Sequence, residues 1–186
     1  MRGIIAAAIL LIGTAAAQAL EERIPIVRAA VLEAPRSGET RFLLDIGSLD
    51  AVRNERILSA RMRIPLPGRI AGQEVPLELY GLTTSWRGTV PTWTSPWTRP
   101  GGDLDPAPAA YRGLEEGGRL TTLELDVTHI IRAMAEGELA ENGFMLVPAD
   151  AGRKGFDDGE RGILGALTGG ELVISYRKLS AHGIQA

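Results

Sequence analysis

The sequence predicts an all-β protein, a two-sheet jelly-roll-like β-sandwich with one short helix. Three observations carry this reading. After residue 19 most runs alternate apolar and polar residues with period two, and a single segment switches to helical spacing. Glycine and proline, 23 and 11 copies in 186 residues, fall between the runs as turn signals. Alternation sends successive side chains to opposite faces of a strand, leaving one face for a core and one for water.

The strands follow in order. Ile24 to Leu32 and Arg41 to Ile46 are the first two, and Leu58-Ser59-Ala60-Arg61-Met62-Arg63-Ile64 is the clearest alternation in the chain. Val75, Leu77 and Leu79 alternate with Pro76, Glu78 and Tyr80. Proline cannot donate to a ladder, so Pro76 places its strand at an edge or a bulge. Leu123, Leu125 and Val127 alternate with Glu124 and Asp126, Phe144 to Val147 is a short continuously apolar run, and Leu172, Ile174 and Tyr176 alternate with Val173, Ser175 and Arg177. Val127, Ile130, Ile131 and Met134 recur at helical spacing, which predicts a helix over about 129–136, with Thr128 as its N-cap and Gly137 as its stop. Thr94 to Gly118 and Ala149 to Gly162 read as long loops, the kind of segment that carries function on a rigid scaffold.

The N-terminus reads as a signal peptide over residues 1–19. Met1-Arg2 is a short positive start, Ile4 to Ile12 is apolar, and Ala17-Gln18-Ala19 has the form a signal peptidase accepts. The apolar run is well short of the ~20 residues that span a bilayer. Cleavage after Ala19, or after Ala17, leaves a single domain over 20–186 with no membrane span, destined for the periplasm, the cell surface or the medium. Cysteine is absent, so thiolate metal sites, cysteine nucleophiles and disulfide staples are excluded, and stability must come from core burial. A formal charge of −3 with mixed signs along the chain speaks against nucleic acid as a partner.

Several segments carry a resemblance. In order they are Arg41-Phe42-Leu43-Leu44-Asp45-Ile46, Ile57-Leu58-Ser59-Ala60-Arg61-Met62, Ser85-Trp86 with Thr89-Val90-Pro91-Thr92-Trp93, Asp126-Val127-Thr128 and Asn142-Gly143-Phe144-Met145-Leu146. Over roughly Arg41 to Tyr176 this resembles the DNRLRE domains, secreted bacterial β-sandwiches related to a family of carbohydrate-binding modules. Pro91 interrupts the family's "T-V-T-W" motif, Met134 stands where a tryptophan is common, and the acidic N-terminal strand and its following loop, where such sandwiches often hold calcium, are shortened. The resemblance implies a jelly roll, an extracytoplasmic location, and a role in glycan binding or cell-surface architecture; it transfers no binding residue.

The residues themselves suggest where a ligand would sit. Trp86, Trp93 and Trp97 are the three tryptophans and fall within twelve positions. Trp86 and Trp93 are read as plugs of the sandwich, and Trp97, between Pro96 and Pro100, as a stacking surface for a sugar ring. Arg99 and Arg112 are its polar companions on the same long loop. The acidic groups Asp103 and Asp105, and Asp157, Asp158 and Glu160, lack the spacing of a calcium loop and read as turn residues. Arg61 and Arg63 share a strand face and are expected to pair with Glu78, Glu124 or Asp126 on neighbouring strands, the alternative being a basic stripe that meets an acidic polysaccharide. Asp126, Thr128 and His129 suggest a strand end and a helix cap, with His129 toward solvent, rather than a triad.

No catalytic motif is present. The sequence therefore predicts a non-catalytic module that binds an extracytoplasmic polysaccharide, with no cofactor and no metal. The alternative is a structural or assembly subunit partnered by another surface protein, and a polysaccharide lyase or hydrolase is the reading the sequence favours least.

Overall fold

The computed structural model describes residues 18–65, 77–116, 119–148 and 167–179. The expected signal peptide up to residue 17, Val75 and Pro76, the loop over 149–162 with its acidic residues, and His182 lie outside them. The elements are β1 (Leu20–Glu33), β2 (Thr40–Ile46), β3 (Arg56–Pro65), β4 (Leu77–Gly81), β5 (Ala110–Glu116), β6 (Arg119–Asp126), α1 (Thr128–Ala135), β7 (Phe144–Pro148) and β8 (Glu171–Arg177).

The strands form one antiparallel sheet in the order β4-β7-β2-β1-β8-β3-β6-β5. Its two outer strands approach each other, with bridges from Leu79 to Ala109 and from Leu82 to Leu104, so the sheet curls into a nearly closed barrel. The expected all-β class and single helix are present. Where two separate sheets were expected, one continuous sheet appears, because β1 belongs to both halves: Leu20 to Pro25 pair with β8, and Ile26 to Glu33 with β2.

Between those halves the register slips at Val27. Ile24 and Ile26 face the main core before the slip, and Ala29 and Val31 face it after, so the parity of the strand reverses. A one-residue bulge does this by placing two residues opposite one and sharpening the local twist. A second slip lies between Ile57 and Ser59 in β3. There Arg132 of α1 donates from Nε and Nη2 to the carbonyl of Ile57 at 3.1 and 3.0 Å, and from Nη2 to that of Leu58 at 3.1 Å.

The main core fills the barrel with Phe42, Leu44, Met62, Ile64, Leu125, Phe144 and Ile174, and α1 adds Ile130, Ile131 and Met134. The helix matches its expected span, but Thr128 is its first residue rather than its cap. The capping acceptor is Asp126 Oδ1, which receives the Thr128 N–H at 3.0 Å and its hydroxyl at 2.6 Å. At the other end Gly137, at φ +78, donates to the Met134 carbonyl while Glu138 donates to that of Ala133, the paired closure that needs a left-handed residue.

The expected loop from Thr94 to Gly118 is shorter than the sequence suggests. Ala110-Tyr111-Arg112-Gly113-Leu114-Glu115-Glu116 has no sustained alternation, yet it forms β5 along β6, with a slip between Leu114 and Glu115. Cross-strand pairing overrides a weak local pattern here. β4 lies at the sheet edge; Pro76, from which an edge or a bulge was expected, precedes it and lies outside the described residues.

Candidate functional site

The outer face of the half-sheet β1-β2-β7-β4 is not open to water. Leu32, Leu43 and Met145 project from it into a second apolar cluster that Leu82, Trp86 and Trp97 complete. Residues 82–105 are thus folded down as a covering layer. This explains why β7 reads as an unbroken apolar run and why β2 carries Phe42-Leu43-Leu44 at its centre: both of their faces are buried there.

Each tryptophan has a different place in that layer. Trp86 is 1% exposed, as expected of a plug, and Arg28 lies over its ring at 3.8 Å from the centroid. Trp97 is 7% exposed, and its indole N–H donates to the Thr92 carbonyl at 2.9 Å. The expected exposed stacking face on Trp97 is therefore corrected: the loop folds inward, because burying a large aromatic against Leu32, Leu43 and Met145 outweighs leaving it in water. Trp93, expected as a plug, is instead half-buried at the margin of the cluster, with Arg41 over its ring at 4.9 Å.

Asp103 organises the layer from inside. It is 8% exposed. Its Oδ2 accepts the Thr84 hydroxyl at 2.7 Å and the Thr98 N–H at 2.8 Å, and its Oδ1 accepts the Thr98 hydroxyl at 2.7 Å and the Arg99 N–H at 3.1 Å. Burial pushes its pKa up, but these four donors outweigh burial and hold it at about 2. The carboxylate is committed to the fold, in keeping with a local hydrogen-bonding role, and Asp105 likewise accepts the Ala107 N–H at 2.9 Å. Among the described residues no three of His, Asp and Glu converge as metal ligands would.

Above Asp103 lies an open depression of about 410 Å³, lined by Thr83, Thr84, Thr98, Arg99, Gly102 and Leu104. Arg99 thus stands at a recess, with Trp97 beneath the layer rather than beside it. Arg112 lies on β5 opposite Glu124, and its side chain falls outside the described residues. The structure brings Arg99 to the depression; sequence reasoning missed the threonines, whose only signal was their clustering on either side of the tryptophans.

The remaining charged groups serve the sheet. Glu124, buried on the outer face of the other half-sheet, has Arg63 at 3.4 Å and Arg61 at 3.8 Å. Arg63 is also opposite Glu171 in the register, and Glu171 meets Arg23 at 2.8 Å, so opposite charges alternate across β1, β8, β3 and β6. This is the cross-strand pairing that the sequence predicts for Arg61 and Arg63. His129 is exposed in the first turn of α1, with Nε2 3.2 Å from the Ala107 carbonyl oxygen. No helix among the described residues is long and apolar enough to cross a membrane. No protein-family model matches the chain, and comparison with curated proteins finds no similar sequence.

Proposed function

We propose that this chain is an exported, non-catalytic β module that binds an extracytoplasmic glycan. The observation that carries the reading is the depression on the covering layer: threonines 83, 84 and 98, Arg99 and Gly102 surround a carboxylate whose four hydrogen bonds hold it ionised and committed to the fold. Hydroxyls, amides and one guanidinium on a rigid sheet suit recognition of a polyhydroxylated ligand better than bond cleavage, which needs convergent titratable groups. The resemblance to DNRLRE domains points the same way. The finer fold reading, a jelly-roll-like sandwich, is supported in the form of two half-sheets joined through β1, which divides its pairing between β8 and β2.

Export is supported by the start of β1 at Leu20, which leaves the strand whole after cleavage behind Ala19. The intact mass of the secreted protein tests this, and a mass that retains the apolar run refutes it. The glycan reading is tested by calorimetry against soluble oligosaccharides, with Arg99→Ala as the variant. The expectation is binding weakened about fivefold or more, by loss of roughly 1 kcal/mol from a polar contact, with the oligosaccharides recovered uncleaved. Shortened oligosaccharides after incubation would refute the non-catalytic assignment.

A further inference from the structure

We infer that a neutral oligosaccharide stacks on Trp93 and Tyr80 beside Arg41, on a strip that adjoins the depression; this rests on the glycan reading above. Leu79 and Phe42 point into the main core, so their strand neighbours Tyr80, Glu78 and Arg41 belong to the opposite, outer face. Val147, the register partner of Glu78, follows Leu146, the partner of Phe42, so β7 contributes one residue between Glu78 and Arg41. Tyr80, Glu78, Val147 and Arg41 are all half-buried, and so is Trp93, unlike the two buried tryptophans.

The polar groups of this strip are held in place. Arg41 donates from Nε to Glu39 at 2.8 Å and from Nη1 to the Gly101 carbonyl at 2.7 Å, which fixes its guanidinium over Trp93. The Tyr80 hydroxyl donates to Glu78 at 2.6 Å. Burial first, and then that hydrogen bond, raise the Tyr80 pKa to about 12, against the opposing charge of Arg41, so the ring stays neutral. Immobilised aromatics of this kind present apolar faces with little entropy left to lose on binding.

Continuity with the depression comes from a glycine pair. Gly101, at φ +91, lies so close to Trp93 and Arg41 that a Cβ would stand 2.9 Å from each. Gly102, the next residue, lines the depression. Gly101 is itself buried beneath Trp93 and Arg41, so the strip and the depression meet along this glycine pair, and a chain of sugar rings that passes from the threonines and Arg99 to Trp93 and Tyr80 runs over the Arg41 and Trp93 side chains. Two guanidiniums, Arg41 and Arg99, face three carboxylates, Glu39, Glu78 and Asp103, along that path. The surplus of negative charge disfavours a uronate and suits a neutral ligand.

The test is a titration of the full secreted chain with cellohexaose, xylohexaose and hexagalacturonate, read by tryptophan emission and by calorimetry. A neutral hexasaccharide is expected to shift the emission of the wild type, with the shift lost in Trp93→Phe, because Trp86 and Trp97 are buried. Trp93→Ala is expected to weaken binding about tenfold or more, as loss of an aromatic anchor does, and Tyr80→Ser less. Should Trp93→Ala fail to fold, the emission of the wild type and of Trp93→Phe still decides. Neutral binding that Arg99→Ala weakens, but with emission unchanged, overturns the stacking strip and leaves the glycan reading standing. Tighter binding of hexagalacturonate overturns the neutral assignment. Failure of the wild type to bind any of the three overturns both readings.

Discussion

Arg28 lies over Trp86, its guanidinium carbon 3.8 Å from the ring centroid, and its Nη2 also donates to the Trp86 carbonyl at 3.2 Å. The pair joins β1 to the covering layer, and Asp45 extends it. Arg87 grips the Asp45 carboxylate from Nε at 3.0 Å and from Nη2 at 2.7 Å, with Arg28 at 4.0 Å on the other oxygen. One end of the layer is thereby fastened to the sheet by two arginines that share one carboxylate.

Removing the stack should loosen that end without unfolding the barrel. Arg28→Ala is expected to cost about 1–2 kcal/mol, a partly shielded cation–π contact plus one hydrogen bond. Arg28→Lys should recover only part, since an ammonium keeps the charge but loses the planar fork. Urea denaturation checks both: the midpoint should fall with an unchanged slope. A change below about 0.5 kcal/mol, the range of ordinary surface substitutions, would show that the stack fastens nothing.

The acid limb of stability should report Asp103. Its folded pKa, about 2, lies below the ordinary carboxylate value of 3.8, so the folded state favours the charged form. The stabilisation is complete above about pH 4 and is lost as pH falls through about 2. Asp103→Asn should cost about 3 kcal/mol at pH 7, because an amide cannot accept from four donors and leaves Thr84, Thr98 or Arg99 unsatisfied. The gap between wild type and variant should narrow between pH 4 and pH 2. Thermal melts across that range test it, and a gap that stays constant would mean the carboxylate charge is not what the loop uses.

Strand positions were legible in the sequence because one-sided burial imposes period two, and Leu58 to Ile64 and Leu172 to Tyr176 show it. The continuous apolar character of Phe144 to Val147 also carried information, namely that a layer covers the outer face, but the pattern alone does not say what covers it. β5 was hidden because Gly113 and the charged residues around it carry no period, and its strand state comes from β6. In the candidate site, Arg99 was legible as a cation on a long loop. The inversion of Trp93 and Trp97 was not, since a buried and a half-buried tryptophan four residues apart look alike until the loop's packing on Leu43 and Met145 is known.

That inversion is itself testable. Trp97→Ala should cost about 3–5 kcal/mol, the range for truncating a buried aromatic, and lower the melting temperature. Trp93→Ala should cost clearly less, because its ring is only partly enclosed. Comparable losses for the two variants would contradict the difference in burial.

Val27 provides the sharpest contrast between what a residue is and where it stands. It is 57% exposed, a valine in water with no place in either apolar cluster. Val27→Thr should accordingly change stability by no more than about 0.5 kcal/mol. Deleting the same residue is a different perturbation. Val27 is the extra residue of the bulge, and without it Ile26 and Arg28 become consecutive in a regular strand. Ile24, Ile26, Ala29 and Val31 then alternate without interruption, so all four still face the core and Arg28, Ala30 and Leu32 still face outward. What the deletion removes is the local kink and added twist with which β1 passes from β8 to β2. The deletion variant should therefore still unfold cooperatively, with a loss of about 1–3 kcal/mol, while Val27→Thr melts like the wild type. A deletion variant with no cooperative thermal transition would show that Val27 does more than accommodate the slip in β1.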